Sequence, residues 1–177
     1  MLLPLLLALA VIQPAPAPAA PSGATDARIV VVKSRRELRL VSRGEVVRTY
    51  HVALGLEPVA PKARQGDFAT PEGNYYVCSK NPHSRYDLAL GISYPGPNDA
   101  MRGLEAGLIT PAEHDRILSA FVRRAAPPSN TRLGGQIMIH GRGAAWDWTE
   151  GCIALNNLDI EELFNSVPVG TPVEILP

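Results

Sequence analysis

Cysteine is scarce in this 177-residue chain, which has two, Cys78 and Cys152. Neither belongs to a C-x-x-C pair, and its four histidines form no H-x-x-x-H pair. Structural zinc sites normally draw two ligands from such a close pair. A set made of Cys78, His83, His140 and Cys152 therefore has nothing to nucleate it, and no metal is expected. Net charge is missing too: 17 Lys plus Arg balance 17 Asp plus Glu. No overall field draws the chain to nucleic acid or anionic lipid, so nucleic acid is not an expected partner. Gly141-Arg142-Gly143 lacks the following helix and Lys-Ser/Thr of a phosphate loop. Long apolar runs are absent apart from Met1–Ile12, which falls short of the roughly 20 residues a bilayer-spanning helix needs.

That run, followed by alternating Ala and Pro up to Pro21, reads as an export leader over residues 1–24, with small residues at Ala17–Ala20 or Ser22–Ala24 as cleavage sites. No Lys or Arg precedes it, and no cysteine near the cut supports lipid attachment. The expected location is the periplasm or cell envelope, with no membrane span once the leader is gone. There two cysteines can pair, so a structural Cys78–Cys152 disulfide is one reading of the composition. The remainder, residues 25–177, is read as a single domain, long enough to bury about 70% of its unfolded surface without staples.

The domain reads as mainly β. Arg28–Lys33, Glu37–Val41 and Val46–Leu54 are alternating or β-branched runs separated by short polar breaks, which predicts a meander. Gly55–Gly73 reads as a long ordered loop, and strand character returns at Tyr75–Cys78 and Asp87–Ser93. A helical hairpin interrupts the β pattern. Asn98 or Asp99 is the expected cap of a short helix ending at Gly107. Thr110-Pro111-Ala112-Glu113 matches a capping box, with His114, Ile117, Leu118 and Phe121 on one helical face. Gln136–His140 is the next strand, Leu158–Val167 a short helix capped by Asn156 or Asn157, and Pro172–Leu176 the closing strand.

Chemistry concentrates late in the chain. Ile137-Met138-Ile139-His140-Gly141 delivers an imidazole at the end of an apolar strand. Trp146-Asp147-Trp148-Thr149-Glu150-Gly151-Cys152-Ile153 offers a thiol beside the main-chain N–H groups of Gly151 and Cys152. Thiol, base and oxyanion donors are the parts acyl transfer needs. A free thiol has a pKa near ~8.5, so a neighbouring imidazole is required to take its proton at neutral pH. Cys152 is accordingly the candidate nucleophile and His140 the general base. Alone, His140 would read as a satisfied strand-end histidine. Cys78 reads as a small buried hydrophobe, and His51 and His114 as ordinary strand and helix-surface residues. Ser93 and Thr149 are read as site-shaping hydroxyls.

These residues resemble the L,D-transpeptidase catalytic domain of the YkuD-like family. His140-Gly141 and Thr149-Glu150-Gly151-Cys152-Ile153 meet its histidine-glycine and Ser/Thr-x-Gly-Cys-Ile elements. Gly66-Asp67 and Thr70-Pro71-Glu72-Gly73 match an upstream element. Asn81-Pro82-His83-Ser84-Arg85-Tyr86 and Gly91-Ile92-Ser93-Tyr94-Pro95 resemble pieces of a subgroup. The resemblance implies a β-sandwich or barrel with an inserted helical hairpin and a short helix after the cysteine. It also implies the Gly141 carbonyl orienting His140, and Gly151 as an oxyanion donor. The implied reaction acylates Cys152 with the L-centre of diaminopimelate in peptidoglycan stem peptides and needs no cofactor. An amine acceptor gives transpeptidation or attachment to a wall-linked lipoprotein, and water gives carboxypeptidase or amidase activity. Arg142, Trp148, Thr149, Ser93 and Tyr94 are candidate substrate-binding residues, with Trp146 a further wall of the acyl channel. Two positions depart from the pattern: Ala154 stands where many members carry Arg, and Glu150 where many carry His. A non-catalytic wall-binding module held by Cys78–Cys152 is the remaining alternative.

Overall fold

Alternation along the first three strands fixes their register. In the computed structural model, which describes residues 26–177, β1 (Ala27–Val32), β2 (Glu37–Ser42) and β3 (Glu45–His51) form the expected antiparallel meander. Ile29 and Val31 face Leu40 and Leu38 across the β1–β2 ladder, and all four are buried. The β2–β3 turn is built on Arg43 and Gly44, both at positive φ, which suits the right-handed twist of a tight hairpin.

β4 (Gly73–Ser84) and β5 (Asp87–Ile92) form a second hairpin, followed by β6 (Met138–His140), β7 (Ile153–Ala154) and β8 (Pro172–Leu176). β4 runs on past Cys78, where the expected strand ends, to Ser84. Its irregular register with β5 carries it through Asn81 and Pro82, a place where a strand can accept proline. The closing strand β8 lies parallel to β1 and antiparallel to β4, giving one eight-stranded sheet ordered β3-β2-β1-β8-β4-β5-β6-β7. Just past β3, Ala53 bridges Ala154 of β7 at the opposite edge. The sheet is thereby curled into a half-barrel, the form the expected sandwich or barrel takes.

Inside the curl lies the main core, where Ile160 and Leu163 of α3 (Asn157–Ser166) pack with the strand residues. The helical insertion, α1 (Pro97–Glu105) and α2 (Pro111–Val122), has its own smaller core of Ala100, Ile109, Ile117 and Leu133. α2 starts with the expected capping box. The Glu113 carboxylate accepts from the Thr110 amide at 2.8 Å, and the Thr110 hydroxyl accepts from the Glu113 amide at 3.3 Å. The cap of α1 is neither Asn98 nor Asp99 but Gly96. Pro97 takes the first helical position, where its missing N–H costs nothing, and Asp99 reaches back to accept from the Gly96 amide at 2.8 Å. At α3 the cap is Asn156. No helix among the described residues is long and apolar enough to cross a membrane. The expected leader, residues 1–24, lies outside the described residues.

Candidate active site

Sheet register sets the relation between the thiol and the imidazole. β6 and β7 are parallel, with Ile139 opposite Ile153 and His140 opposite Ala154. Paired residues of a parallel ladder share a face. Ile139 and Ile153 point into the core, so Cys152, one residue before Ile153, and His140, one after Ile139, point to the other side on adjacent segments of the sheet. Both line a single cleft of about 770 Å³.

Each is held by short local structure. Nδ1 of His140 is 2.8 Å from the Gly141 carbonyl oxygen. An imidazole N–H donating there leaves Nε2 unprotonated. The ring stacks on Tyr86, with centroids 4.5 Å apart and planes 21° apart, and meets the edge of Trp148 at 5.6 Å. Tyr86 belongs to the β4–β5 turn, and its main-chain carbonyl accepts from the Gly141 amide at 3.0 Å. A side chain at position 141 has no room: a Cβ would lie 2.9 Å from both the Tyr86 carbonyl oxygen and Asn157 Oδ1.

On the other strand, Thr149 is buried and organises the turn into Cys152. Its hydroxyl donates to the Cys152 carbonyl at 2.7 Å and accepts from the Gly151 amide at 3.1 Å. The Gly151 N–H, expected to face a developing oxyanion, is thus engaged within its own loop. Gly151 has φ 123°, and a Cβ there would sit 2.6 Å from the Ala69 carbonyl oxygen. That close approach packs the thiol loop against the Gly55–Gly73 segment. Asp147 is fixed from outside, its carboxylate meeting Arg36 at 2.7 Å and accepting from the Leu54 amide at 2.8 Å.

Burial controls the protonation of both groups. It pulls the His140 imidazole below its ordinary value, against the Gly141 hydrogen bond, and the Arg85 charge adds to the lowering. It pushes the Cys152 thiol up, against a main-chain hydrogen bond at Met138 and the Lys62 charge. The resting pair at neutral pH is therefore a neutral thiol and a neutral imidazole, an arrangement in which the proton moves during attack and not before it.

Of the expected substrate-binding residues, Trp148 and Thr149 line the cleft. Arg142 is exposed and is not part of the cleft lining, with its guanidinium 5.8 Å from the Tyr86 ring centroid. Ser93 and Tyr94 do not reach it. The Ser93 hydroxyl accepts from the Tyr76 amide at 3.0 Å, and Tyr94 is buried with its hydroxyl donating to the Leu133 carbonyl at 3.1 Å. Trp146 is exposed and is not part of the cleft wall. Cys78 and Cys152 are separate free thiols, and Cys78 is not in the cleft. No group of three or more His, Cys, Asp or Glu side chains among the described residues is placed to hold a metal ion.

Sequence reading passed over three contributors. Tyr86 was legible only as the end of the Asn81–Tyr86 motif, whose purpose is now visible as the platform under His140. Lys62 lines the cleft yet is buried, pairing with Asp67 at 2.7 Å. Asp67 in turn accepts from the Ala63, Arg64 and Ala69 amides. The third is Arg85, on the β4–β5 turn beside Tyr86.

Known proteins resemble this chain in sequence and in fold. The Escherichia coli (strain K12) protein YafK is 30% identical over 145 residues, 78% of this chain and 46% of that protein. The chain thus spans about half the length of this curated relative. A variant of the helical cell shape determining protein Pgp2 from Campylobacter jejuni superposes with a TM-score of 0.58 at 25% identity, covering 85% of this chain and 47% of that one. An L,D-transpeptidase from Mycobacterium smegmatis gives a TM-score of 0.51 at 13% identity, covering 86% and 59%. The family model described as YkuD, the L,D-transpeptidase catalytic domain, matches residues 26–175. With nearly the whole described chain inside that match, the protein belongs to the L,D-transpeptidase catalytic domain family.

Proposed function

We propose that this chain is an exported peptidoglycan L,D-transpeptidase working through a Cys152–His140 pair. The observation that carries the reading is the placement of both side chains on one wall of the cleft, with Nδ1 of His140 tied to Gly141 and Nε2 left to accept a proton. The Cys152 sulfur attacks the carbonyl carbon of the L-centre of diaminopimelate while its proton passes to His140. A tetrahedral oxyanion forms, held by the main-chain N–H of Cys152, since the Gly151 N–H is engaged by the Thr149 hydroxyl; one such donor commonly contributes ~3 kcal/mol. The C–N bond to D-Ala then breaks, His140 returns the proton to the leaving amine, and a thioester remains. An acceptor amine loses a proton to His140 as its nitrogen bonds to the carbonyl carbon. The C–S bond breaks and the sulfur takes the proton back. The amine belongs to a second stem peptide or to a lipoprotein lysine.

Water in place of the amine gives a carboxypeptidase or amidase. One observation favours this second reading: Ala154, where many relatives carry arginine, is fully buried in a cluster with Ala53 and Ala144 under Trp148. No cation from that position can reach an acceptor or stem carboxylate.

The test is incubation of the purified protein with stem peptides ending in D-Ala, with and without an amine acceptor, and product masses as the readout. Crosslinked dimers support transpeptidation, and trimmed stems support hydrolysis. Cys152→Ala is expected to remove either product by on the order of 10⁴-fold or more. Turnover retained in that variant overturns the nucleophile assignment. A carbapenem is expected to add its mass to Cys152.

A further inference from the structure

We propose that Arg85 reads a free carboxylate of the acyl donor, setting a preference for acidic over amidated stem peptides. The inference rests on the acyl-transfer reading above.

Lys62, Arg85 and Glu150 are the Lys, Arg, Asp and Glu residues that line the cleft. Lys62 is already spoken for, its ammonium 2.7 Å from Asp67 with the side chain 3% exposed. Glu150 carries the wrong sign. Arg85 has no carboxylate within ion-pair distance among the described residues. It is exposed, so its charge is open to a ligand.

Its position is nevertheless fixed. The guanidinium lies 4.7 Å from the Tyr86 ring centroid and donates from Nη2 to the Tyr86 hydroxyl at 2.7 Å. Tyr86 in turn stacks on His140. One aromatic ring therefore contacts both an unpaired cation and the imidazole. A guanidinium has five N–H donors, so the bond to Tyr86 leaves others for a bidentate carboxylate. Its stacked, planar fork loses less freedom on binding than a lysine would.

A stem-peptide donor ending in D-Ala has two carboxylates near the scissile bond: the terminal one, and that of the second diaminopimelate centre. The same chemistry recognises either, and three donors separate them: one with both free, one amidated at D-Ala and one amidated at diaminopimelate. KM and kcat are measured for each with the full chain and with Arg85→Gln and Arg85→Lys. In the unaltered protein, amidation of the carboxylate that Arg85 reads is expected to raise KM about tenfold, the scale of one charge-assisted hydrogen bond. Arg85→Gln is expected to raise KM for the free donor by that factor and to erase its preference over the amide, whereas Arg85→Lys keeps part of the preference. A merely structural role, acting through Tyr86 on His140, would slow all donors alike and leave the preference intact. An active unaltered protein whose preference survives Arg85→Gln, or that shows no preference, overturns this inference alone. A protein inert toward all three donors overturns the acyl-transfer reading and this inference with it.

Discussion

Thr149 holds more of the cleft geometry than its size suggests. One hydroxyl both accepts from the Gly151 amide and donates to the Cys152 carbonyl, so it sets where the thiol sits and where the adjacent N–H groups point. Thr149→Val keeps the shape and removes both bonds. The expected result is a 10- to 100-fold fall in kcat, from roughly 1.5–3 kcal/mol of lost positioning. The thermal midpoint should move far less than for a core truncation. Kinetics and melting on the same variant check this, and unchanged kcat contradicts the assignment. At this scale the residues proposed to carry chemistry were legible: Cys152, His140 and their neighbours Gly151 and Gly141 stand out by type and spacing. It hid what surrounds them. Tyr86 lies 54 positions from His140 in the chain, and only the folding of β4, β5 and β6 side by side stacks the two rings.

Among the elements, the Gly55–Gly73 loop is the one whose order needs explaining, because it has few residues in regular strands. Lys33, at the end of the first predicted strand, supplies it. Its ammonium is buried and donates to the carbonyls of Val59, Ala60 and Thr70 and to the Glu72 carboxylate, the last at 2.7 Å. A buried lysine so satisfied is costly to break, because removing it strands the groups it served. Lys33→Met is expected to destabilise the protein by ~3 kcal/mol. It should also loosen the loop that packs on Gly151, lowering activity at temperatures well below the melt. Denaturant unfolding and activity measurements check the two effects. The strand and helix boundaries were largely legible, since β alternation and the Thr110–Glu113 capping box are local signals. The clamp was not, because its partners lie 26 to 39 residues away, and the cap of α1 was misplaced because Gly96 carries no side-chain signal of its own.

For the molecule as a whole, burial of the site makes folding depend on pH. The folded imidazole of His140 titrates below its unfolded value, so its contribution is complete above ~6.5 and is lost as pH falls through the folded value. The folded thiol of Cys152 titrates above its unfolded value, so its contribution is complete below ~8.5 and lost as pH rises beyond. Asp67 adds a third limb. Burial raises its pKa, but Lys62 and three amides lower it further, so its stabilisation disappears only in stronger acid, below ~3.9. Melting temperature is therefore expected to plateau between pH ~6.5 and ~8.5. In His140→Ala the decline from the plateau should begin at lower pH, and an unchanged acid limb contradicts the assignment of that limb to His140.

The pairing of Ala53 with Ala154 constrains how any peptide can approach the thiol. The two residues exchange N–H···O bonds of 2.9 and 2.8 Å, which occupy the outward main-chain groups of β7. An incoming peptide therefore has no open main-chain edge at Ala154 to zip onto, so β-augmentation on that residue is closed as a mode of capture. On the proposed function, selectivity is then expected from side chains at the mouth, where surface substitutions can retune it without disturbing the scaffold.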